Sequence, residues 1–271
     1  KALDIVNGLS LKVDPTDRKT LLKIADTAIT GKSIEQVKGK LDGIIVDAVM
    51  TVAEKVNGKY SVDEEDVMIK KQKGAAMDDA EMIRGVVIDK VRVHEGMPKK
   101  ITKAKVAMVA TPLEITKTQV KAKIKISSAE QINAFSEQER EALKKLADAI
   151  IDSGANVLLC QKGISDAAQF FLAKSGILAI EDVPEKDMKY ASRALHANIV
   201  NKPESLTAKD LGTAELVEED DEGKVTRISG CKNPKTTTIL LRGTSDYLLD
   251  ELERAVVDGT RVVMDAMEDG T

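Results

Sequence analysis

The chain has 271 residues, 42% hydrophobic and only 2% aromatic, with no tryptophan. That supplies one large domain or two ordinary ones with an aliphatic core, and too few rings for base-stacking platforms or aromatic sugar-binding surfaces. Lysine and arginine total 41 against 45 acidic residues, a net charge of -4 with the signs interspersed, which argues against nucleic acid as the principal partner.

The first elements are helical. Asp14-Pro15-Thr16-Asp17 predicts a helix start, with Asp14 as cap, Pro15 at the first helical position and Leu21, Leu22, Ile24, Ala25 and Ala28 following up to Thr30-Gly31. Ser33-Ile34-Glu35-Gln36 is a capping box for a second helix, which Asn57-Gly58 is expected to end. A short acidic helix start at 62–66 precedes β-rich runs at 67–71, 86–93, 106–109 and 120–126.

The pattern changes at Ser127. Capping boxes at 127–130 and 136–139 predict a short helix and then a longer one that ends before Gly154. Strand 155–161, helix 164–174, strand 177–180, helix 184–195 and strand 197–200 spell βαβαβ, a parallel unit covered by helices. Antiparallel pieces at 214–218 and 225–229 flank the turn Asp221-Glu222-Gly223. A strong strand at 236–242 and a long helix at 245–267 close the chain. Helical ends around a mixed α/β middle predict one domain inserted into another, with crossings near residues 85 and 238. The chain opens inside a helix-like pattern at Lys1-Ala2-Leu3 and stops at Glu268-Asp269-Gly270-Thr271, which gives it the appearance of an excised fragment.

Few residues offer chemistry on their own. Cys160 and Cys231 lack CxxC spacing and no signal peptide or long apolar run is present, so reduced structural thiols in a soluble, cytoplasmic setting are expected, with a disulfide or metal pair as the alternative. His94 and His196 lack metal-ligand spacing, and no metal site is expected. Gly31-Lys32-Ser33 invites comparison with a phosphate-binding loop, but Asp26 stands where the first glycine belongs and helices flank the segment. A helix-helix turn, or a lysine reaching toward an anion on a neighbouring domain, fits better. No nucleophile can be named. Asp258 lies between Val256-Val257 and Gly259 in a helix crowded with acids, and is either part of a solvated face or a functional carboxylate. The stripe Ile132, Phe135, Leu143, Leu146 and Ile150 is broken by Ser136, Glu139 and Arg140, and suits either core packing or an exposed projection.

Taken together these stretches resemble group II chaperonins, the archaeal thermosome and the eukaryotic cytosolic chaperonin, along essentially the whole chain. The matches include Thr27-Ala28-Ile29-Thr30-Gly31-Lys32, Met97-Pro98-Lys99-Lys100, Ser153-Gly154-Ala155-Asn156-Val157, Gln161-Lys162-Gly163-Ile164 and Leu172-Ala173-Lys174-Ser175-Gly176. Further along come Asp210-Leu211-Gly212, Gly230-Cys231-Lys232-Asn233-Pro234-Lys235, Thr238-Ile239-Leu240-Leu241-Arg242-Gly243 and Glu251-Leu252-Glu253-Arg254-Ala255, leading to Asp258.

The resemblance implies a mixed α/β apical domain with a helical protrusion, inserted into a mainly helical intermediate domain. It places the end of an equatorial segment at 1–30, the intermediate domain at 31–86 and 238–271, and the apical domain at 87–237 with its protrusion near 128–152. It also implies an ATP-driven chaperone that encloses non-native protein in a double ring of subunits with a built-in lid, without nucleic acid or membrane as partner. Ile132, Phe135 and Leu143 become lid or substrate contacts, and Phe170 and Phe171 lie on the helix that holds clients. Asp258 matches the aspartate that orients the attacking water, and Gly31 and Lys32 the segment that senses the terminal phosphate. The glycine-rich phosphate loop and the metal-binding aspartate of the family are missing, so ATP and Mg2+ would be bound mostly outside this chain, and the chain alone should be inactive as an ATPase. An ATP-independent holdase and an unrelated α/β enzyme with a crevice by its parallel strands are the alternatives.

Overall fold

A computed structural model describes residues 8–9, 12–30, 38–73, 80–114, 129–220 and 224–270, with the side chains of 38 and 129–136 left aside. The chain divides into two compact units, Lys1–Val87 with Asn233–Thr271, and Ile88–Lys232.

In the first unit α1, Arg18–Ile29, begins later than the sequence suggests. Asp14 spends its carboxylate on an Asx turn, accepting from Thr16 N and Oγ1 at 2.8 and 2.7 Å, so Asp17 becomes the cap by accepting from Lys19 N. Leu21, Ala25 and Ile29, spaced four apart, are its buried stripe. The second helix, α2, is Lys38–Val52; its expected capping box lies outside the described residues. It ends before Asn57-Gly58, which instead forms the turn between β1, Glu54–Val56, and β2, Lys59–Ser61. Both turn residues have positive φ, 53° and 86°, the combination that a two-residue hairpin turn of primed type demands. Strands β3, Val67–Lys73, and β4, Glu81–Ile83, follow. The apolar run from Val86 yields only β5, Gly85–Ile88, at the boundary of the units.

The second unit is built around β6, Lys100–Val109. Its first half pairs antiparallel with β10, Gly212–Asp220, and its second half runs parallel to β7, Val157–Cys160, and β9, Ile199–Val200. The remaining strands are β8, Leu178–Ile180, parallel to β7, and β11, Val225–Ser229, antiparallel to β10. Between β6 and β7 runs α3, Ala129–Asp152, a single continuous helix. Ser136 therefore sits inside it, since no proline or glycine separates the two predicted capping boxes and a Ser-x-x-Glu spacing is equally compatible with a helix interior. The helices α4, Asp166–Lys174, and α5, Glu185–Leu195, complete the crossovers. The step from β6 to β7 to β8 moves one way across the sheet, while the return to β9 passes to the other side of β6. Right-handed crossovers then place α3 and α4 on one face and α5 on the other. Ala147, Ile150, Ala168 and Leu172 of the first pair cover Ala107, Val109, Leu158 and Cys160.

Returning to the first unit, β12, Thr237–Gly243, lies between β3, parallel, and β4, antiparallel. Buried along nearly its whole length, it is the central strand, with Ile239, Leu240 and Leu241 as its apolar run behind the buried Thr237 and Thr238. The last helix, α6, Asp246–Asp269, is capped by Ser245 and packs on α1, α2 and β12 through Leu249, Leu252, Ala255, Val256, Val263 and Met267.

Gly212 opens β10 where a Cβ would stand 2.6 Å from Leu195 Cβ and 3.0 Å from Leu195 O at the end of α5. Gly212→Ala is expected to lower stability by about 1–3 kcal/mol, because backbone, not a pliable side-chain tip, must yield. Denaturant titration checks this, and an unchanged midpoint would refute it.

Candidate functional site

Helix α6 presents two faces. Its inner face is fixed at Gly259, where a Cβ would lie 2.9 Å from Ile45 Cδ1 of α2 and 3.2 Å from Ile29 Cγ2 of α1. The preceding residue, Asp258, has an exposed side chain, which places it on the outer side of the helix. With Asp250, Glu253, Arg254 and Val257 it lines a shallow concavity of about 490 Å³.

Charge on this face is organised from β3. Lys71 Nζ lies 2.9 Å from Asp250 Oδ1 and 2.6 Å from Glu253 Oε2, and Lys73 Nζ lies 2.7 Å from Asp246 Oδ2. Hydrogen bonds to Glu253 and Asp250 hold the Lys71 ammonium above the ordinary lysine range. At the far end of α6, Arg261 pairs with Glu64 and the Glu268 carboxylate accepts from Val62 N at 2.8 Å. Gly31 and Lys32 lie outside the described residues; Ile29, two positions before Gly31, is the α1 residue that meets Gly259.

In the second unit the predicted contact residues separate. Phe170 on α4 is 51% exposed, while Phe171 is half-buried, edge-on to Phe170 at 5.9 Å between centroids and under the Arg140 guanidinium at 5.9 Å. Leu143 is 7% exposed, and with Ala147 and Ile150 it makes the C-terminal half of α3 a packed helix. It serves to fix α3 and is not presented to solvent. Ile132 and Phe135 lie on the first turns of α3, with side chains outside the described ones.

Both cysteines are buried free thiols. Burial pushes Cys160 up to about 11 and Cys231 up to about 12. Among the described residues no group of three or more His, Cys, Asp or Glu could hold a metal ion, and no helix is long and apolar enough to cross a membrane.

Sequence reasoning missed Lys71 and Gly259. A lysine in a basic strand looks like surface, and its partners are 179 and 182 residues away. A glycine in mid-helix, unfavourable by about 1 kcal/mol against alanine, was the only available signal of a close helix contact.

Comparison with known proteins places these features in a family. The model of the TCP-1/cpn60 chaperonin family matches residues 1–271. The chain is 47% identical over 272 residues to a thermosome subunit of Pyrococcus abyssi and 44% identical to thermosome subunit alpha of Archaeoglobus fulgidus. In each case all of the chain matches 50% of the relative, so the chain spans about half the length of the curated relatives it matches. It also resembles the open-state monomer of a group II chaperonin from Methanococcoides burtonii, with TM-score 0.78 and 37% identity, covering 98% of this chain and 61% of that one.

Two outcomes test the placement of side chains. Leu172→Ala, at a fully buried position of α4, is expected to cost about 2–5 kcal/mol, against less than about 1 kcal/mol for Phe170→Ala; comparable losses in denaturant unfolding would contradict the assignment of faces. Both thiols should resist an alkylating reagent at pH 8 until the chain unfolds, and rapid native labelling of either would contradict its burial.

Proposed function

The chain belongs to the TCP-1/cpn60 chaperonin family, and from that premise we propose that it is the client-handling and hinge portion of a group II chaperonin subunit. In this reading the whole subunit is a cytoplasmic, archaeal-type ATPase that encloses non-native proteins in a double ring closed by a built-in lid. The relatedness to thermosome subunits over the full chain supports it. Membership of the family also removes the alternative of an unrelated α/β enzyme.

Residues 87–237 then act as the apical domain, with α3 in the protrusion near 128–152 and Phe170 and Phe171 of α4 meeting clients. Residues 31–86 and 238–271 form the intermediate domain, and 1–30 lead in from the equatorial segment. ATP and its Mg2+ would be bound mostly by the half of the relatives' length that this chain does not cover.

The observation that carries the proposal is Asp258: an exposed carboxylate on a helix whose inner face is packed closely at Gly259. Hydrolysis of a terminal phosphate needs an oriented water and compensated charge more than it needs a nucleophilic side chain. Asp258 can accept a hydrogen bond from such a water and hold it in line. Lys32, following Gly31 beyond the end of α1, would sense the phosphate that the water attacks.

Partial exposure of Phe170 favours a second, compatible activity, weak ATP-independent holding of unfolded chains by the apical portion. Failure of this chain, at stoichiometric excess, to slow aggregation of an unfolded client would remove it.

The decisive experiment uses the full-length subunit. Asp258→Ala is expected to lower kcat for ATP by about a hundredfold or more while ring assembly and nucleotide binding persist. Unchanged hydrolysis in an assembled ring would overturn the assignment.

A further inference from the structure

Helix α6 carries eight acidic residues against two arginines, Arg254 and Arg261. Three of the acids, Asp250, Glu253 and Asp258, line one concavity. A nucleotide polyphosphate is itself strongly anionic, so an acidic helix face that must approach one meets a like-charge barrier.

Strand β3 supplies the counter-charge. Lys71 serves two carboxylates with one ammonium, at 2.9 Å from Asp250 and 2.6 Å from Glu253, and Lys73, two residues along on the same face of the strand, pairs with Asp246 at 2.7 Å. The five side chains of these pairs, Lys71 and Lys73 on β3 and Asp246, Asp250 and Glu253 on α6, are between 37% and 72% exposed. Ion pairs so exposed add little to stability, so holding the fold together is not what explains the bridge. Its position is more informative, because Asp250 and Glu253 share the concavity with Asp258 and lie five to eight residues before it on the same helix.

We propose that Lys71 is a positioning residue for ATP hydrolysis: by bridging Asp250 and Glu253 it supplies the positive charge that lets the acidic face of α6 bring Asp258 to the terminal phosphate. The proposal rests on the reading of Asp258 given above. Lys71 touches no substrate and acts through the charge of the helix face. Without it, two uncompensated carboxylates oppose the approach, which slows the closed, hydrolysing state and leaves the earlier binding of nucleotide unaffected. The defect is screenable, since the Debye length falls from about 10 Å at 0.1 M salt to about 3 Å at 1 M.

The test is steady-state ATP hydrolysis by rings of the full-length subunit at about 0.05 M and about 0.5 M salt. Lys71→Gln is expected to lower kcat about three- to tenfold at low salt with KM within about twofold, and the gap should narrow to about twofold or less at high salt. Lys71→Arg, which keeps the charge, should behave like wild type. Adding Asp250→Asn and Glu253→Gln to Lys71→Gln removes the compensated charges along with their partner, and should restore kcat. Wild-type turnover by Lys71→Gln at low salt overturns the proposal, as does a loss that salt leaves undiminished or that the triple variant fails to repair, which is the pattern of a purely structural lysine. Asp258→Asn measured alongside separates the two readings. If it too hydrolyses ATP normally, the reading of Asp258 falls and this one with it; if it is dead while Lys71→Gln is normal, only the role of Lys71 falls.

Discussion

The sheet of the first unit cannot exist until the chain returns to it. β3 and β4 are not partners of each other; each bonds to β12, which arrives 170 residues after β3 in the register Thr237 to Val67. Bringing such distant segments together carries a loop-closure penalty that grows slowly with length, and a folded insertion reduces it by holding its own ends close. Ile83 of β4 and Thr238 of β12 are neighbours across the ladder, and the Thr238 hydroxyl donates to Gly85 O at 2.8 Å, so departure and return are bonded side by side. Because β12 passes through Ser245 directly into α6, the strand also determines where that helix starts.

From there α6 divides its labour between two faces governed by different physics. The inner face is apolar and close-packed, and the approach at Gly259 leaves no room for a side chain without displacing Ile45 or Ile29. The outer face is held by ion pairs in water, which are individually weak and respond to salt. Rigidity is thus supplied by packing and tunability by charge. Asp258 sits where the two meet, adjacent in sequence to the close approach at Gly259 and within a concavity it shares with Asp250 and Glu253.

Much of this was legible in the residues, and the misses have physical causes. α4, α5 and α6 announced themselves through helical spacing and flanking turn residues, and β7 and β8 through short apolar runs between helices. The Asn57-Gly58 hairpin was misread because its strands, with burial mostly exposed along both, show no apolar alternation; the dipeptide alone could equally stop a helix. The Ser136 box misled because a capping motif says nothing unless a break precedes it. Pairing of β9 with β6 instead of β8 is a property of the sheet, invisible in local pattern. Asp258 could be singled out only as a carboxylate among valines, and its candidate role came from family resemblance; its outward direction is seen only in the fold. The Lys71 bridge joins segments whose separation exceeds any periodicity the chain carries.

The client side of the proposal follows a similar economy of contact. Ala168 and Leu172 anchor α4, and Phe171 is turned edge-on to its neighbour, so among the described residues of the second unit only Phe170 and Val91 are large apolar side chains with substantial exposure. So sparse a set of described apolar contacts would grip an unfolded chain weakly, which fits the proposed cycle of holding and release. In the proposed ring, strength would come from repetition: several copies engaging one flexible client at once raise the effective concentration of each further site and so multiply the modest affinity of the first.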